Sequence, residues 1–115
     1  MSKPVKIVEK PWGREIWIAH TERYALKIIE MNKGCRSSLQ YHQVKSEHIY
    51  VDAGILRVEE EIDGEMVATL YYPGDVVINP AGKKHRSEAV EDVRIIEVST
   101  PELDDVVRVE DDFGR

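Results

Sequence analysis

Residues Gly34–Gly54, GCRSSLQYHQVKSEHIYVDAG, and Gly74–His85, GDVVINPAGKKH, decide how this chain is read. The first stretch holds Gln40, His42 and Glu47; the second delivers His85 behind the rigid turn Pro80-Ala81-Gly82. Side chains alternate faces along a strand, so Gln40 and His42, two apart, point the same way. Gln43–Ser46 is long enough for a tight turn, after which Glu47 shares a face with Ile49 and Val51. A carboxylate at the rim of a buried face needs a partner, and a cation is the most direct one. Two imidazoles, one carboxylate and one amide suit a divalent transition metal, and zinc, manganese, nickel and iron fit such a set alike. Blander readings stand beside this one. Glu47 can pair with a lysine instead, and the Gln40 amide can hydrogen-bond a bound water or a substrate hydroxyl. His48 faces away from Glu47 on a regular strand and is either an outer-face residue or a member of the site.

Outward from these stretches the pattern is strand after strand. Ile16–Ile18, Tyr24–Met31, Glu47–Val51, Leu56–Ile62, Glu65–Tyr72, Val76–Ile78 and Val93–Val98 are rich in β-branched and aromatic residues. Turn signals separate them, and Asp63-Gly64 is the two-residue pattern of a type I′ hairpin, which needs positive φ twice. Regular short strands predict an all-β sandwich or barrel, the jelly roll among them. The segment Glu102–Asp112 is charge-rich and reads as a solvated end.

With 115 residues, 42% hydrophobic and 33% charged, the chain reads as one soluble globular domain with a modest core. A net charge of −6 argues against nucleic acid as a partner. No apolar run approaches the ~20 residues of a membrane span, and no secretory signal is visible. A single cysteine, Cys35, rules out an internal disulfide and fits a reducing cytoplasm; it reads as a small residue near a turn. His20 lies outside both stretches and reads as a satisfied polar residue. Arg36, Lys45, Lys83, Lys84 and Arg86 flank the ligand turns. Lys83 reads as surface solvation, whereas Arg36 and Arg86 sit closely enough to contact a phosphate. Trp12 and Trp17 read as packing or subunit-contact residues, with a sugar-stacking floor as the alternative.

Both stretches resemble the paired motifs of the cupins, small double-stranded β-helix (jelly-roll) barrels. The first motif, G-x5-H-x-H-x4-E-x6-G, is matched by Gly34, His42, Glu47 and Gly54, with Gln40 at its first histidine. The second, G-x5-P-x-G-x2-H-x3-N, is matched by Gly74, Pro80, Gly82 and His85, with Ala89 at its asparagine. The Gln-x-His pair is similar to the zinc set of phosphomannose isomerases. Further segments resemble the C-terminal isomerase domain of type II mannose-6-phosphate isomerase, often fused behind a mannose-1-phosphate guanylyltransferase. They include Lys10-Pro11-Trp12-Gly13, Arg36–His42, Pro80–Arg86, Ile95–Val98, Asp104–Arg108 and Phe113-Gly114-Arg115. The resemblance spans nearly the whole chain, in order. Against the family's usual His-x-His-Arg-x-Glu-His-Trp, Val44 replaces a histidine, Lys45 an arginine and Ile49 a tryptophan. Arginine grips phosphate through a planar fork, lysine only as a point charge.

The resemblance implies one cupin domain over 1–115, with N-terminal strands in 5–18, a barrel core over about 24–100 and a tail over 101–115. It implies a metal-dependent aldose–ketose isomerase acting on a small sugar phosphate, with mannose 6-phosphate and fructose 6-phosphate as the favoured pair. One divalent metal per chain, zinc by preference, would be held by Gln40, His42, Glu47 and His85. Lys45, His48 and Arg36 are the candidate catalytic residues, with a metal-bound hydroxide as the alternative base. Arg36, Arg86 and Lys84 are the candidate substrate contacts, joined by Arg115 if the tail folds back over the barrel mouth. Two competing readings are a metal-dependent oxygenase or lyase on the same barrel and a non-catalytic sugar-binding module. Trp12, Ile16 and Trp17 offer apolar material for a homodimer, which would also cover exposed sheet edges.

Overall fold

A computed structural model describes residues 6–112. Among them eleven strands form two antiparallel sheets, with no helix. The first sheet contains β1 (Lys6–Lys10), β2 (Gly13–His20), β3 (Ala25–Met31), β5 (Glu47–Ala53), β8 (Val76–Asn79) and β10 (Val93–Ser99). The second contains β4 (Leu39–Tyr41), β6 (Leu56–Ile62), β7 (Glu65–Tyr71), β9 (His85–Ala89) and β11 (Val107–Glu110). Their spatial orders are β1-β2-β3-β10-β5-β8 and β11-β4-β9-β6-β7. Chain neighbours β4 and β5 lie in different sheets, as do β8 and β9, and this crossing is the cupin jelly roll.

The predicted hairpin forms as expected. Asp63 (φ 52°) and Gly64 (φ 80°) both adopt positive φ, and β6 pairs with β7 in unbroken register from Leu56–Tyr71 to Ile62–Glu65. Four strands go beyond the apolar runs read from sequence: β1, β4, β9 and β11. β9, HRSEA, is almost wholly buried yet polar, because His85 and Ser87 line a polar cavity while Arg86 donates to the Ser37 and Glu110 carbonyl oxygens. The charge-rich end is not merely solvated. Residues 107–110 pair with β4 as an edge strand of the second sheet, and Arg36 holds Asp112 through two hydrogen bonds (2.5 and 2.9 Å). Arg115, with Phe113 and Gly114, lies outside the described residues.

The space between the sheets is graded. At one end Trp12, Met31, Val51, Leu56, Val58 and Val93 form the apolar core. At the other, inward positions of the same strands carry charge: Lys27 and Glu97 sit opposite each other on β3 and β10, and Glu47 sits opposite Asn79 on β5 and β8. The outer face of the six-stranded sheet is banded as well. Registers align Ile7, Ile16, Ile28, Ile96, Tyr50 and Val76 into one apolar row crossing all six strands. Beside it run Leu26, Val98 and Ile78 with His48, and on the other flank the ion pairs Arg14–Glu30 and Arg94–Asp52.

Candidate metal centre

Three of the expected ligands converge. One donor atom from each of His42, Glu47 and His85 falls within a cluster no wider than 4.8 Å, and all three side chains are buried. Three elements deliver them: the turn after β4, the start of β5 and the start of β9. The Gly82 amide donates to the His42 carbonyl oxygen (2.7 Å), which ties the second turn directly onto the first histidine. Gln40 lies opposite His85 across the β4–β9 ladder and lines the same cavity of about 310 Å³. Its Oε1 accepts a hydrogen bond from the Ser38 hydroxyl (2.7 Å).

The tautomers follow from the partners. His42 Nδ1 lies 2.6 Å from the Asp105 carbonyl oxygen and His85 Nδ1 lies 2.9 Å from that of Lys83. A carbonyl only accepts, so each Nδ1 carries the hydrogen and each neutral ring keeps its lone pair on Nε2. Both Nε2 atoms face Glu47, at 3.2 Å from His42 and 3.8 Å from His85. The Nε2 of His42 is buried and makes no hydrogen bond. Such an orphaned lone pair beside a carboxylate and a second Nε2 fits a cation held in common.

Charge in the cavity leads to the same place. Glu47 receives Lys45 (3.1 Å) and the Asn79 amide (3.1 Å), so the lysine pairing considered from sequence is present beside the ligand geometry. Lys45 also meets Glu97 (3.1 Å), which lies 3.7 Å from Lys27, and Lys27 meets Glu15 (3.1 Å). Three buried carboxylates thus face two ammoniums, leaving one negative charge for a further cation or proton. Burial opposes ionisation of Glu47, but His42, Lys45 and His85 outweigh it and hold its pKa far below the usual carboxylate range. Burial, reinforced by Glu47, pushes Glu97 upward. Burial pulls His85 below the ordinary imidazole value. For His42, burial is outweighed by Glu47 and the Asp105 carbonyl, so its pKa rises.

The other expected site residues lie elsewhere. His48 points out of the sheet, opposite Ile78. Arg36 pairs with Asp112 at the surface. Arg86 is buried, donating to the carbonyl oxygens of Ser37 (3.0 Å) and Glu110 (3.3 Å), and so clamps β11 down. Neither arginine, nor His48, nor Lys84 lines the cavity, whereas Lys45 does. Lys83 is not a solvated lysine: it donates to Glu60 and to the Ile78 carbonyl (2.7 Å). Trp12 packs into the core, and Trp17 lies on the cavity wall with the Lys6 and Lys27 ammoniums over its ring. His20 contacts the Pro101 carbonyl and Cys35 sits at a turn, its N–H donating to the Asn32 carbonyl oxygen (2.9 Å), both as expected; Cys35 also packs against the core.

Lys27, Glu97, Asp105 and Arg108 were not singled out from the sequence. The signal for the first two was available, since each occupies an inward position of an otherwise apolar strand. Asp105 and Arg108 lie in Asp104–Arg108, a segment that resembles the family, but nothing there marked the role of Asp105: its carboxylate accepts the backbone N–H groups of Gln43, Val44 and Lys45 (3.1, 2.8 and 2.9 Å), a contact across 60 residues or more.

Residues 2–111 match the family model described as mannose-6-phosphate isomerase C-terminal. The chain is 38% identical over 113 residues to the mannose-1-phosphate guanylyltransferase ManC of Salmonella typhimurium, covering 94% of this chain and 23% of that protein. It is 34% identical to the xanthan biosynthesis protein XanB of Xanthomonas campestris, with the same coverage of 94% and 23%. The chain therefore spans 23% of the length of these curated relatives. Among solved structures, KdgF from Halomonas sp. superposes with a TM-score of 0.76 at 24% identity, over 90% of this chain and 96% of that one. Oxalate decarboxylase of Bacillus subtilis gives a TM-score of 0.80 at 18% identity, over 90% of this chain and 30% of that one. These two likenesses carry the fold alone.

Proposed function

The chain belongs to the mannose-6-phosphate isomerase C-terminal family, and from that premise we propose that it interconverts an aldose phosphate with its ketose. Mannose 6-phosphate and fructose 6-phosphate are the favoured pair. The observation that carries this reading is the buried cluster of His42, Glu47 and His85 on the wall of a cavity large enough for a small ligand. These residues would hold one divalent ion, with Gln40 beside them; zinc is favoured, and manganese, iron or nickel suit the same donors. When bound, such an ion supplies Lewis-acid polarisation of the open-chain carbonyl and the neighbouring hydroxyl.

The remaining chemistry belongs to the chain's own groups. Isomerisation moves one proton from C2 to C1 and another from the C2 hydroxyl to the C1 oxygen. Lys45 and Glu97, 3.1 Å apart and both on the cavity wall, are the pair we assign to this transfer. Glu97, whose pKa is raised chiefly by burial, takes and returns the carbon-bound proton; Lys45, held as an ammonium by Glu97 and Glu47, balances the oxygen's developing charge.

Metal analysis of freshly purified protein, followed by a coupled assay of mannose 6-phosphate conversion, tests the reading. Near-stoichiometric metal with turnover, both lost in His85→Ala, is expected. Metal without turnover on any sugar phosphate would refute the isomerase. One observation favours a second reading, a non-catalytic sugar-binding module: the Lys45 ammonium already neutralises Glu47 at 3.1 Å. Absence of metal after reconstitution would leave that module as the better account. We further propose a cytoplasmic homodimer joined through the apolar rows on the outer face of the six-stranded sheet.

A further inference from the structure

We propose that Lys83, held in place by Glu60 and Tyr71, is a positioning residue for the candidate ligand His85; this rests on the metal reading given above. His85 Nδ1 lies 2.9 Å from the Lys83 carbonyl oxygen, so the orientation of the imidazole depends on where that carbonyl stands. The side chain of the same residue is tied into the barrel. Its ammonium donates to Glu60 Oε1 (2.5 Å) and to the Ile78 carbonyl oxygen (2.7 Å). The Tyr71 hydroxyl donates to the second Glu60 oxygen (2.5 Å). Burial and Glu60 push the Tyr71 phenol upward, so this hydroxyl keeps its proton at neutral pH. Glu60 is buried and stands directly opposite His85 on the β6–β9 ladder. Residues so opposed share a face. None of Glu60, Tyr71 and Lys83 lines the cavity, which separates them from any direct contact with a substrate.

The turn that delivers His85 is fixed from two sides. The Gly82 N–H reaches the His42 carbonyl oxygen (2.7 Å), and the Glu61 N–H reaches that of Lys84 (2.9 Å), next to the Lys83–Glu60 pair. The same device holds the other histidine. Asp105 offers its carbonyl oxygen to His42 Nδ1, while its carboxylate fixes the residue against the turn after β4. Lys83 offers its carbonyl oxygen to His85 Nδ1, while its ammonium fixes the residue against β6. In each case the backbone supplies the acceptor and the side chain anchors it. A solvated lysine could not do this, because an exposed ion pair is worth little. Here the Lys83 and Glu60 side chains are only 16% and 4% exposed, and Leu56 and Val58 bury apolar side chains on the same face of β6. Without the ammonium, the Lys83 carbonyl is free to swing. His85 then loses the acceptor that keeps its hydrogen on Nδ1 and its Nε2 lone pair toward Glu47.

Nitrogen-15 NMR of the histidine rings, on the full chain with metal removed, provides the test. At about pH 8 His85, held by burial below the ordinary imidazole value, is neutral, and its tautomer is read directly. Chelator competition then gives the zinc affinity of wild type, Lys83→Met, Lys83→Arg, Tyr71→Phe and Lys33→Met. The Nδ1–H form of His85 is expected to predominate in wild type and to give way to a mixture in Lys83→Met, with zinc bound about tenfold more weakly. Lys83→Arg, which keeps the charge and the donors, should recover part of both. Tyr71→Phe should move both in the same direction by less. Lys33→Met, which removes only a surface pair with Glu91, should match wild type. A wild-type tautomer and wild-type zinc affinity in Lys83→Met would overturn the proposal, even if its melting temperature fell. Should Lys83→Met fail to fold, Tyr71→Phe decides, and an unmoved tautomer there overturns the proposal equally. The two readings fail separately. A wild type that takes up no zinc refutes the metal reading and leaves the tautomer to decide on Lys83; zinc binding indifferent to Lys83→Met and Tyr71→Phe does the reverse.

Discussion

Asp105 shows how far a single residue reaches in this molecule. Its carbonyl oxygen orients His42, and its carboxylate gathers three successive N–H groups of the turn between His42 and Glu47. Those N–H groups hold its pKa below the ordinary aspartate value of 3.8, Lys45's being the largest contributor. A carboxylate with a depressed folded pKa contributes stability that is fully present above its unfolded pKa and is lost as pH falls through the folded value. The Asp105→Ala variant is therefore expected to be less stable at neutral pH and to lose less on acidification below 3.8, as pH-resolved thermal melts would report. Its metal affinity should also fall, by about tenfold, as for other residues that orient a ligating histidine. Competition with a chelator measures this, and an unchanged affinity would show that the turn holds its shape without Asp105. The two histidines and Glu47 were legible from spacing and residue type. The role of Asp105 was not: its segment, Asp104–Arg108, resembles the family, but only the fold brings that carboxylate to the turn.

At the scale of elements, legibility followed burial on one face. Strands rich in β-branched and other apolar residues, such as β3 (burial alternating from Ala25 to Met31) and β10, announce themselves in sequence even with Lys27 and Glu97 among their buried positions. β4 and β9 do not, because their inward faces carry Gln40, His85 and Ser87 toward the cavity. Polar residues there are demanded by the site and not by the strand. Gly54 marks the opposite case, where the backbone is decisive. It has φ +86°, and a Cβ placed there would meet the Asp92 carbonyl oxygen at 2.1 Å. Gly54→Ala must either move the β5–β6 turn away from residue 92 or abandon the left-handed conformation. A loss of at least about 2 kcal/mol is expected, the left-handed penalty for a residue with Cβ plus the contact. Urea unfolding reads it directly, and a loss under half that size would mean the turn relaxes freely.

The whole molecule has a charged cavity within one end of its core and an apolar band outside. Six strands at about 4.8 Å, four to eight residues long at about 3.4 Å each, give the outer face roughly 600 Å² per copy, below the ~800 Å² per partner of a standard interface. Val98, half exposed at 50% in the middle of that face, is the place to interrupt it. Val98→Glu should convert the proposed dimer to monomer in sedimentation velocity while leaving metal content intact. A wild type that sediments as a monomer at high concentration would dispose of the dimer. By themselves, the residues determined the all-β class, the hairpin at Asp63-Gly64 and the three candidate ligands that converge, because spacing along a strand translates into faces without knowledge of partners. Only the tertiary structure decided which cations reach the cavity. Arg36 and Arg86 flank the motifs in sequence but are turned to Asp112 and backbone carbonyls, while Arg108, more than twenty residues beyond His85, enters through register with β4. Strand pairing between distant segments sets which side chains share a wall, and nothing local to a segment encodes that.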